Sequence, residues 1–247
     1  MWPFRSRVER PRPVRSRTYG ESPRAVQSLA RAATFTVAWA AALFGTISTD
    51  GPLGAAERQL TIVALGDSLT AGFGLPSEKS FPARLAQALR DKGTAVDVIN
   101  AGGSGETASD GAARLEWSLP EATDAVIVEF GANDALRGID PKLTRAALES
   151  ILRRLNERRI AVLLAGMRAP RNMGAAYEEA FDAIFPELAS EYGAILYPFF
   201  LEGVAMDRSL NQPDGLHPTA AGVDVIVARM LPKVEELVAR VRAARGS

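Results

Sequence analysis

The sequence predicts an α/β protein with a mostly five-stranded parallel sheet and helices on both of its faces. Three observations lead to this fold class: short apolar runs rich in Val, Ile and Leu, amphipathic stretches between them, and a regular alternation of the two from residue 60 onward. Strands that are buried on both faces are continuously apolar. Strands that alternate with helices pair in parallel through right-handed crossovers.

The individual elements follow from the same patterns, and we find no internal repeat and no second domain. The predicted strands are Leu60–Leu65, Val96–Asn100, Ala125–Phe130, Ile160–Ala165 and Ala194–Tyr197. The predicted helices are Phe81–Lys92, Thr107–Trp117, Pro141–Arg158, Tyr177–Tyr192 and Thr219–Arg242. Asp140 and Pro141 form a typical helix start, with a capping residue followed by proline in the first turn. Pro232 is expected to kink or split the last helix.

The first 56 residues have a different composition from the rest of the chain. An Arg-, Pro- and Ser-rich stretch is followed by an apolar run from Ala32 to Ile47 and then by Gly54 and Ala56. An apolar run of this length that ends in small residues is typical of a secretory signal peptide. We therefore predict an export segment over residues 1–56, cleavage between Ala56 and Glu57, and a periplasmic or secreted domain over residues 57–247. The alternative is an uncleaved N-terminal membrane anchor.

Charge and composition exclude several classes of function. Residues 1–56 contain eight Arg, so 21 basic and 26 acidic residues remain in the rest of the chain. A mildly acidic domain without a basic stripe does not favour nucleic-acid binding. The chain has no Cys and a single His, which excludes disulfides, thiolate nucleophiles and a His-rich metal site.

Four polar, glycine-containing segments follow predicted strands or precede the last helix. They are Gly66–Leu69, Gly102–Gly105, Gly131–Asp134 and Asp214–Pro218. Each segment alone is typical of an ordinary turn or helix cap. Because ligands bind at the carboxyl ends of the strands in an open parallel sheet, their common location indicates a functional site.

The residue types in these segments predict a catalytic triad. Ser68 stands where a buried strand turns into a helix, and its hydroxyl needs a base to become a nucleophile. His217 is the only histidine available, and Asp214 lies three residues before it on the same turn. The carboxylate of Asp214 would orient the imidazole and stabilise its charged form. Activity should therefore fall on acidification, when His217 becomes protonated.

An oxyanion hole needs hydrogen-bond donors that point at the developing negative charge. The candidates are the N–H of Ser68, the N–H of Gly105 and the side-chain amide of Asn133. The alternatives at this stage are a tight turn for Gly105 and a helix cap for Asn133.

At these residues the chain resembles the SGNH (GDSL) hydrolases. Ser68 in GDSL, the glycines of NAGGSGET, the Asn of GAND and the His of DGLH match the four blocks of that family in order, between about Leu60 and the C-terminal helix. The longer stretches ALGDSLTAGFG and VEFGANDALRG are most similar to the branch of bacterial periplasmic thioesterases, lysophospholipases and arylesterases. The resemblance implies a three-layer αβα sandwich of flavodoxin-like type, hydrolysis through an acyl-enzyme, and no metal or organic cofactor. It points to Gly105 as the oxyanion donor, with Gly102 and Gly103 as rivals.

The expected substrate is a small-molecule acyl or aryl ester or thioester, a class that includes lysophospholipids. Transient contact with lipid is expected if lysophospholipids are the substrate. The segments Ala135–Asp140 and Met167–Gly174 are expected to border the acyl pocket, where Met167 and Met173 would suit an acyl chain. A carbohydrate O-acetyl esterase with the same triad is the alternative enzyme. A non-catalytic binding module on the same fold is the alternative from another class.

Overall fold

The computed structural model describes residues 58–246, so the predicted export segment, residues 1–56, lies outside the described residues. Its five strands form one parallel sheet in the order β2-β1-β3-β4-β5. The strands are β1 (Leu60–Gly66), β2 (Val96–Gly102), β3 (Ala125–Glu129), β4 (Ala161–Ala165) and β5 (Ile195–Tyr197). Each predicted strand is present, with ends that differ by at most two residues.

Eight helices accompany the sheet in the described part of the chain. They are α1 (Ser68–Ala71), α2 (Phe81–Asp91), α3 (Ala108–Ser118), α4 (Ala132–Leu136), α5 (Pro141–Glu157), α6 (Ala175–Asp182), α7 (Ile184–Tyr192) and α8 (Ala220–Arg245). On one face α2 packs against α8, and on the other α5 packs against α3 and α7. These helices and the sheet form the predicted three-layer αβα sandwich.

The structure divides one predicted helix and leaves another undivided, and both cases concern proline. The predicted helix Tyr177–Tyr192 is two helices, α6 and α7, which break at Ala183. Pro186 has no N–H to donate to the carbonyl of Asp182, and its ring would clash with that carbonyl in a continuous helix. Pro232, in contrast, does not split α8, which continues on both sides of it. Met230 and Val234 are both fully buried, so the packing of α8 on the sheet offsets the lost hydrogen bond.

The register of the sheet places the carboxyl ends of its strands in one row. Gly66 pairs with Gly102 on one side and with Glu129 on the other, and Glu129 pairs in turn with Ala165. The chain reverses its direction of winding between the adjacent strands β1 and β3, and this switch point is where open α/β sheets bind ligands. No helix among residues 58–246 combines the length and the apolar character needed to cross a membrane.

Candidate active site

Ser68 is the first residue of the short helix α1, directly beyond the end of β1. Asp67 caps this helix, because its Oδ1 accepts a hydrogen bond of 2.9 Å from the N–H of Leu69. The Ser68 side chain lies in the switch-point crevice and is almost fully buried, with 8% of the residue exposed. The turn from strand to helix therefore presents the hydroxyl at the sheet edge, as the sequence predicts.

His217 lies within hydrogen-bond distance of both other predicted triad residues. His217 Nε2 is 2.9 Å from Ser68 Oγ, and His217 Nδ1 is 2.7 Å from Asp214 Oδ2. With Nδ1 protonated toward Asp214, Nε2 is free to accept the Ser68 proton. The contacts join a weak nucleophile, a base and a group that orients the base, which is the arrangement that nucleophilic catalysis by serine needs.

Asp214 is held in its anionic form by its own turn. Its Oδ1 accepts hydrogen bonds from the backbone N–H groups of Leu216 at 2.9 Å and His217 at 3.0 Å. These two bonds, with the His217 side chain next, lower the pKa of Asp214 to about 2. The carboxylate therefore stays charged at any pH where the imidazole is neutral.

The position of the His217 loop depends on two residues that the sequence analysis did not identify. The Phe73 ring packs on the imidazole, with 4.6 Å between the ring centroids. Gln212 donates from its backbone N–H to the carbonyl of His217 at 2.7 Å and from Nε2 to the carbonyl of Phe73 at 2.7 Å. Gln212 thereby connects the loop after α1 to the loop that contains the base. Phe73 lies in the stretch ALGDSLTAGFG and Gln212 precedes the DGLH block, but nothing in either pattern places them together, so only the three-dimensional arrangement shows their role.

The candidate backbone donors of the oxyanion hole differ in whether they already have an acceptor. The N–H of Gly102 donates to Asn100 Oδ1 at 3.0 Å, and the N–H of Gly103 donates to the carbonyl of Gly66 at 2.9 Å. In contrast, the N–H groups of Ser68 and Gly105 donate to no acceptor within residues 58–246. Gly105 also has a φ of +82°, which favours glycine, so the tight turn and the donor role occur together. These contacts favour Gly105 over Gly102 and Gly103.

Asn133 is not a helix cap. The residue before α4 is Gly131, and Asn133 lies inside the helix. Its Nδ2 donates to Asp67 Oδ2 at 3.1 Å and to the carbonyl of Glu106 at 3.0 Å. To donate to a substrate oxyanion, the Asn133 amide must therefore share or give up the hydrogen bond that it now makes to the Glu106 carbonyl.

Beneath Ser68 lies a pair of fully buried carboxyl groups that the sequence analysis did not identify. Asp67 and Glu129 both have 0% exposure. Burial raises the pKa of Asp67 to about 6, although hydrogen bonds from Leu69 and Asn133 act in the opposite direction. Burial, followed by the charge of Asp67, raises the pKa of Glu129 well above its usual range. The only sequence signal is an acidic residue at the end of an otherwise apolar strand.

An open cavity of about 320 Å³ begins at Ser68 and His217. Its wall is mainly apolar and includes Leu69, Leu136, Met167, Phe199, Leu201 and Met206. Both predicted pocket segments contribute, through Ala135 and Leu136 and through Met167, Arg168 and Pro170, but Met173 is not part of the wall. Other surface cavities of similar volume contain none of the triad residues.

Comparison with known proteins identifies relatives that share this domain. Residues 64–225 match the model of the GDSL-like lipase/acylhydrolase family. An arylesterase of Vibrio mimicus is 40% identical over 165 residues, which is 66% of this chain and 82% of that protein. Thioesterase 1/protease 1/lysophospholipase L1 of Escherichia coli K12 is 38% identical over 179 residues, 72% of this chain and 85% of that protein. The crystal structure of AlinE4, an SGNH-hydrolase family esterase, is 46% identical with a TM-score of 0.62 and covers 72% of this chain and 96% of that one.

Proposed function

Since this chain belongs to the GDSL-like lipase/acylhydrolase family and is a carboxylic ester hydrolase, we propose that Ser68 is its nucleophile, His217 its general base and Asp214 the residue that orients the base. The observation that carries the proposal is the continuous set of contacts from Ser68 Oγ to His217 at 2.9 Å and from His217 to Asp214 at 2.7 Å. A non-catalytic binding module would not need these contacts.

The reaction follows from these positions. Ser68 Oγ attacks the ester carbonyl carbon while its proton passes to His217 Nε2. The tetrahedral intermediate carries its negative charge near the N–H groups of Ser68 and Gly105 and the amide of Asn133. His217 then gives the proton to the leaving alkoxide or thiolate, and Ser68 keeps the acyl group. A water molecule, activated by His217, releases the acid and restores the hydroxyl of Ser68.

The size and the apolar wall of the cavity support the proposal that it binds the acyl or aryl group of the substrate. A volume of about 320 Å³ lies at the low end of ligand cavities, so it fits one such group better than a diacyl lipid. Its apolar wall offers few partners for sugar hydroxyls, which disfavours the carbohydrate O-acetyl esterase. The names of the relatives, arylesterase and thioesterase/lysophospholipase, are consistent with this substrate class.

Arg168 favours a lysophospholipid or another anionic acyl ester as a second candidate substrate. Its guanidinium lies 4.9 Å from the centre of the Phe199 ring at the edge of the cavity. Arg168 is exposed, and no acidic residue in the described part of the chain pairs with it. A phosphate group attached to the leaving alcohol could pair with this cation, in addition to the burial of the acyl chain.

We place the mature enzyme in the periplasm or outside the cell, cleaved between Ala56 and Glu57. This proposal rests on the apolar run and small residues of the sequence. An uncleaved anchor would instead keep the same domain at the membrane surface.

A substrate panel with matched serine variants tests the proposed activity. Wild-type protein should hydrolyse p-nitrophenyl esters, and Ser68→Ala should lose that activity with an unchanged thermal midpoint. Ser77→Ala, which changes an exposed serine outside the site, should retain it. Acetylated sugars in the same panel should be poor substrates. A folded Ser68→Ala variant that still hydrolyses esters would refute the assignment of the nucleophile.

A further inference from the structure

The proposed mechanism gives no role to the buried carboxyl pair below Ser68. Glu129 is the last residue of β3, and its Oε2 accepts a hydrogen bond of 2.8 Å from Thr70 Oγ1. Its other oxygen, Oε1, is buried and meets no donor among residues 58–246. An ionised carboxylate with a buried oxygen that lacks a donor is costly, whereas a carboxylic acid carries its own proton. The site therefore favours the neutral form of Glu129.

The same form is required by the contact with Asp67. Glu129 lies directly against Asp67, because the backbone N–H of Asp67 donates to Glu129 Oε2 at 3.4 Å. Interaction between the two side chains is also one of the causes that lower the pKa of Asp67. Two carboxylates have no proton to share, so one of the pair must be protonated. The pKa of Asp67 is about 6, while burial and the charge of Asp67 raise that of Glu129 well above its usual range. At neutral pH the proton therefore belongs to Glu129, and Asp67 is the anion.

The geometry leaves room for this arrangement only because residue 66 is glycine. A Cβ on Gly66 would lie 2.2 Å from Thr70 Oγ1 and 2.6 Å from Glu129 Oε2. Contacts this short do not occur in proteins, so any side chain at position 66 would displace the acid. The strand end is thus shaped around the Glu129 carboxyl group.

From Asp67 the contacts lead directly into the proposed oxyanion hole. Asp67 Oδ1 accepts from the N–H of Leu69, which fixes the helix that begins at Ser68, and Oδ2 accepts from Asn133 Nδ2 at 3.1 Å. Asp67 therefore orients both the nucleophile turn and the side-chain amide. Movement of Asp67 would displace both groups.

We propose that Glu129 is a positioning residue of the hydrolase: it remains protonated and, through Asp67, holds the Asn133 amide beside Ser68. Ionisation of Glu129 would place two carboxylates in contact, and their repulsion would move Asp67 away from Asn133. This proposal rests on the proposed function, because it concerns the oxyanion hole of the same serine.

Few charged groups face the pair. Asp67, in the loop after β1, is the charged group whose effect raises the pKa of Glu129. The guanidinium of Arg114 on α3 donates to the carbonyl of Gly66, the residue that pairs with Glu129, and not to the Glu129 carboxyl group. Asp67 itself faces Glu129 and His217, and the charge of His217 lowers its pKa. The hydrogen bonds that the Glu129 carboxyl group accepts come from neutral donors, Thr70 Oγ1 and the backbone N–H of Asp67, so no cation compensates for loss of its proton there.

The test compares Glu129→Gln with Glu129→Leu, with Glu121→Gln as a matched change of an exposed glutamate. Glutamine can donate to Asp67 and accept from Thr70, but it cannot ionise. Leucine offers neither bond. The measurements are kcat and KM for a neutral p-nitrophenyl ester between pH 6 and 10, because buried glutamic acids titrate as high as roughly pH 8–9.

Wild-type and Glu121→Gln proteins should lose kcat on the alkaline side, and Glu129→Gln should lack this decrease. At pH 7.5 Glu129→Gln should keep kcat within about threefold of wild type, while Glu129→Leu should lose about tenfold or more in kcat with little change in KM. Should the Leu variant fail to fold, the pH profile of the Gln variant decides alone.

An alkaline profile of Glu129→Gln that matches wild type would overturn the proposal, and so would full activity of a folded Glu129→Leu variant. A Ser68→Ala sample in the same assay distinguishes this failure from failure of the proposed function. If Ser68→Ala is inactive while the Glu129 variants behave as wild type, the triad stands and only the role of Glu129 is refuted.

Discussion

Replacement of Asn133 by alanine separates the catalytic role of its amide from its structural role. Loss of one oxyanion donor typically lowers kcat by about 10²–10³. The same change removes hydrogen bonds of 3.1 Å to Asp67 and 3.0 Å to Glu106. At about 1 kcal/mol each, these two bonds contribute about 2 kcal/mol to the free energy of unfolding. That loss should lower the thermal midpoint by roughly 4–8 °C for a domain of this size.

The assay is kcat and KM for a p-nitrophenyl ester, with the thermal midpoint measured on the same sample. Asn100→Ala is the matched control, because Asn100 makes two comparable bonds, to the carbonyl of Ala71 at 3.1 Å and from the N–H of Gly102 at 3.0 Å. It should lose stability with much smaller loss of kcat. If Asn133→Ala lowers the midpoint but keeps kcat near that of Asn100→Ala, the amide only joins Asp67 to Glu106 and the oxyanion assignment is wrong.

Three further predictions concern pH, substrate charge and the N-terminus. On acidification kcat/KM should fall because protonated His217 cannot accept the Ser68 proton. Burial raises the pKa of Asp67 to about 6, so Asp67→Asn is the control that tells which residue causes the decrease. If the acidic decrease is absent in Asp67→Asn, it is due to Asp67 and not to His217. Arg168→Gln should lower kcat/KM for a lysophospholipid by roughly 2–5-fold but hardly affect a neutral ester, with Arg171→Gln as the control. Equal losses on both substrates would show that Arg168 does not recognise the negative charge of the substrate. N-terminal sequencing of the native protein should begin at Glu57, whereas residues 1–56 retained in the membrane fraction would favour the anchor.

The sequence could predict the fold, and could group the three triad candidates, because both rest on signals that are visible along the chain. Strands buried on both faces are visible as apolar runs, so all five appeared within two residues of their observed ends. Ser68, Asp214 and His217 could be grouped because the chain contains one histidine and because parallel strands bring their carboxyl ends to one edge. Pro186 was a visible signal for the break at Ala183. Proline can also be tolerated inside a helix, as Pro232 is in α8, so the sequence alone could not show which of the two would interrupt its helix.

The network beneath the site could not be predicted in the same way. Glu129 stands at the end of an apolar strand, and only the sheet register shows that it lies beside Gly66. The contact of Gln212 with Phe73 joins residues 139 positions apart, and no local pattern predicts such a pair. Asn133 illustrates the limit most clearly: the sequence left a cap and an oxyanion donor open, and the start of α4 at Ala132 after Gly131 removed the cap.

The most direct test of the central claim is the location of a covalent adduct. Wild-type protein is treated with a fluorophosphonate probe, digested, and analysed by mass spectrometry. The account predicts one adduct per chain, on the peptide that contains Ser68, and much slower labelling in His217→Ala because the base is missing. An adduct on another residue, or an active protein that is never labelled at Ser68, would contradict it.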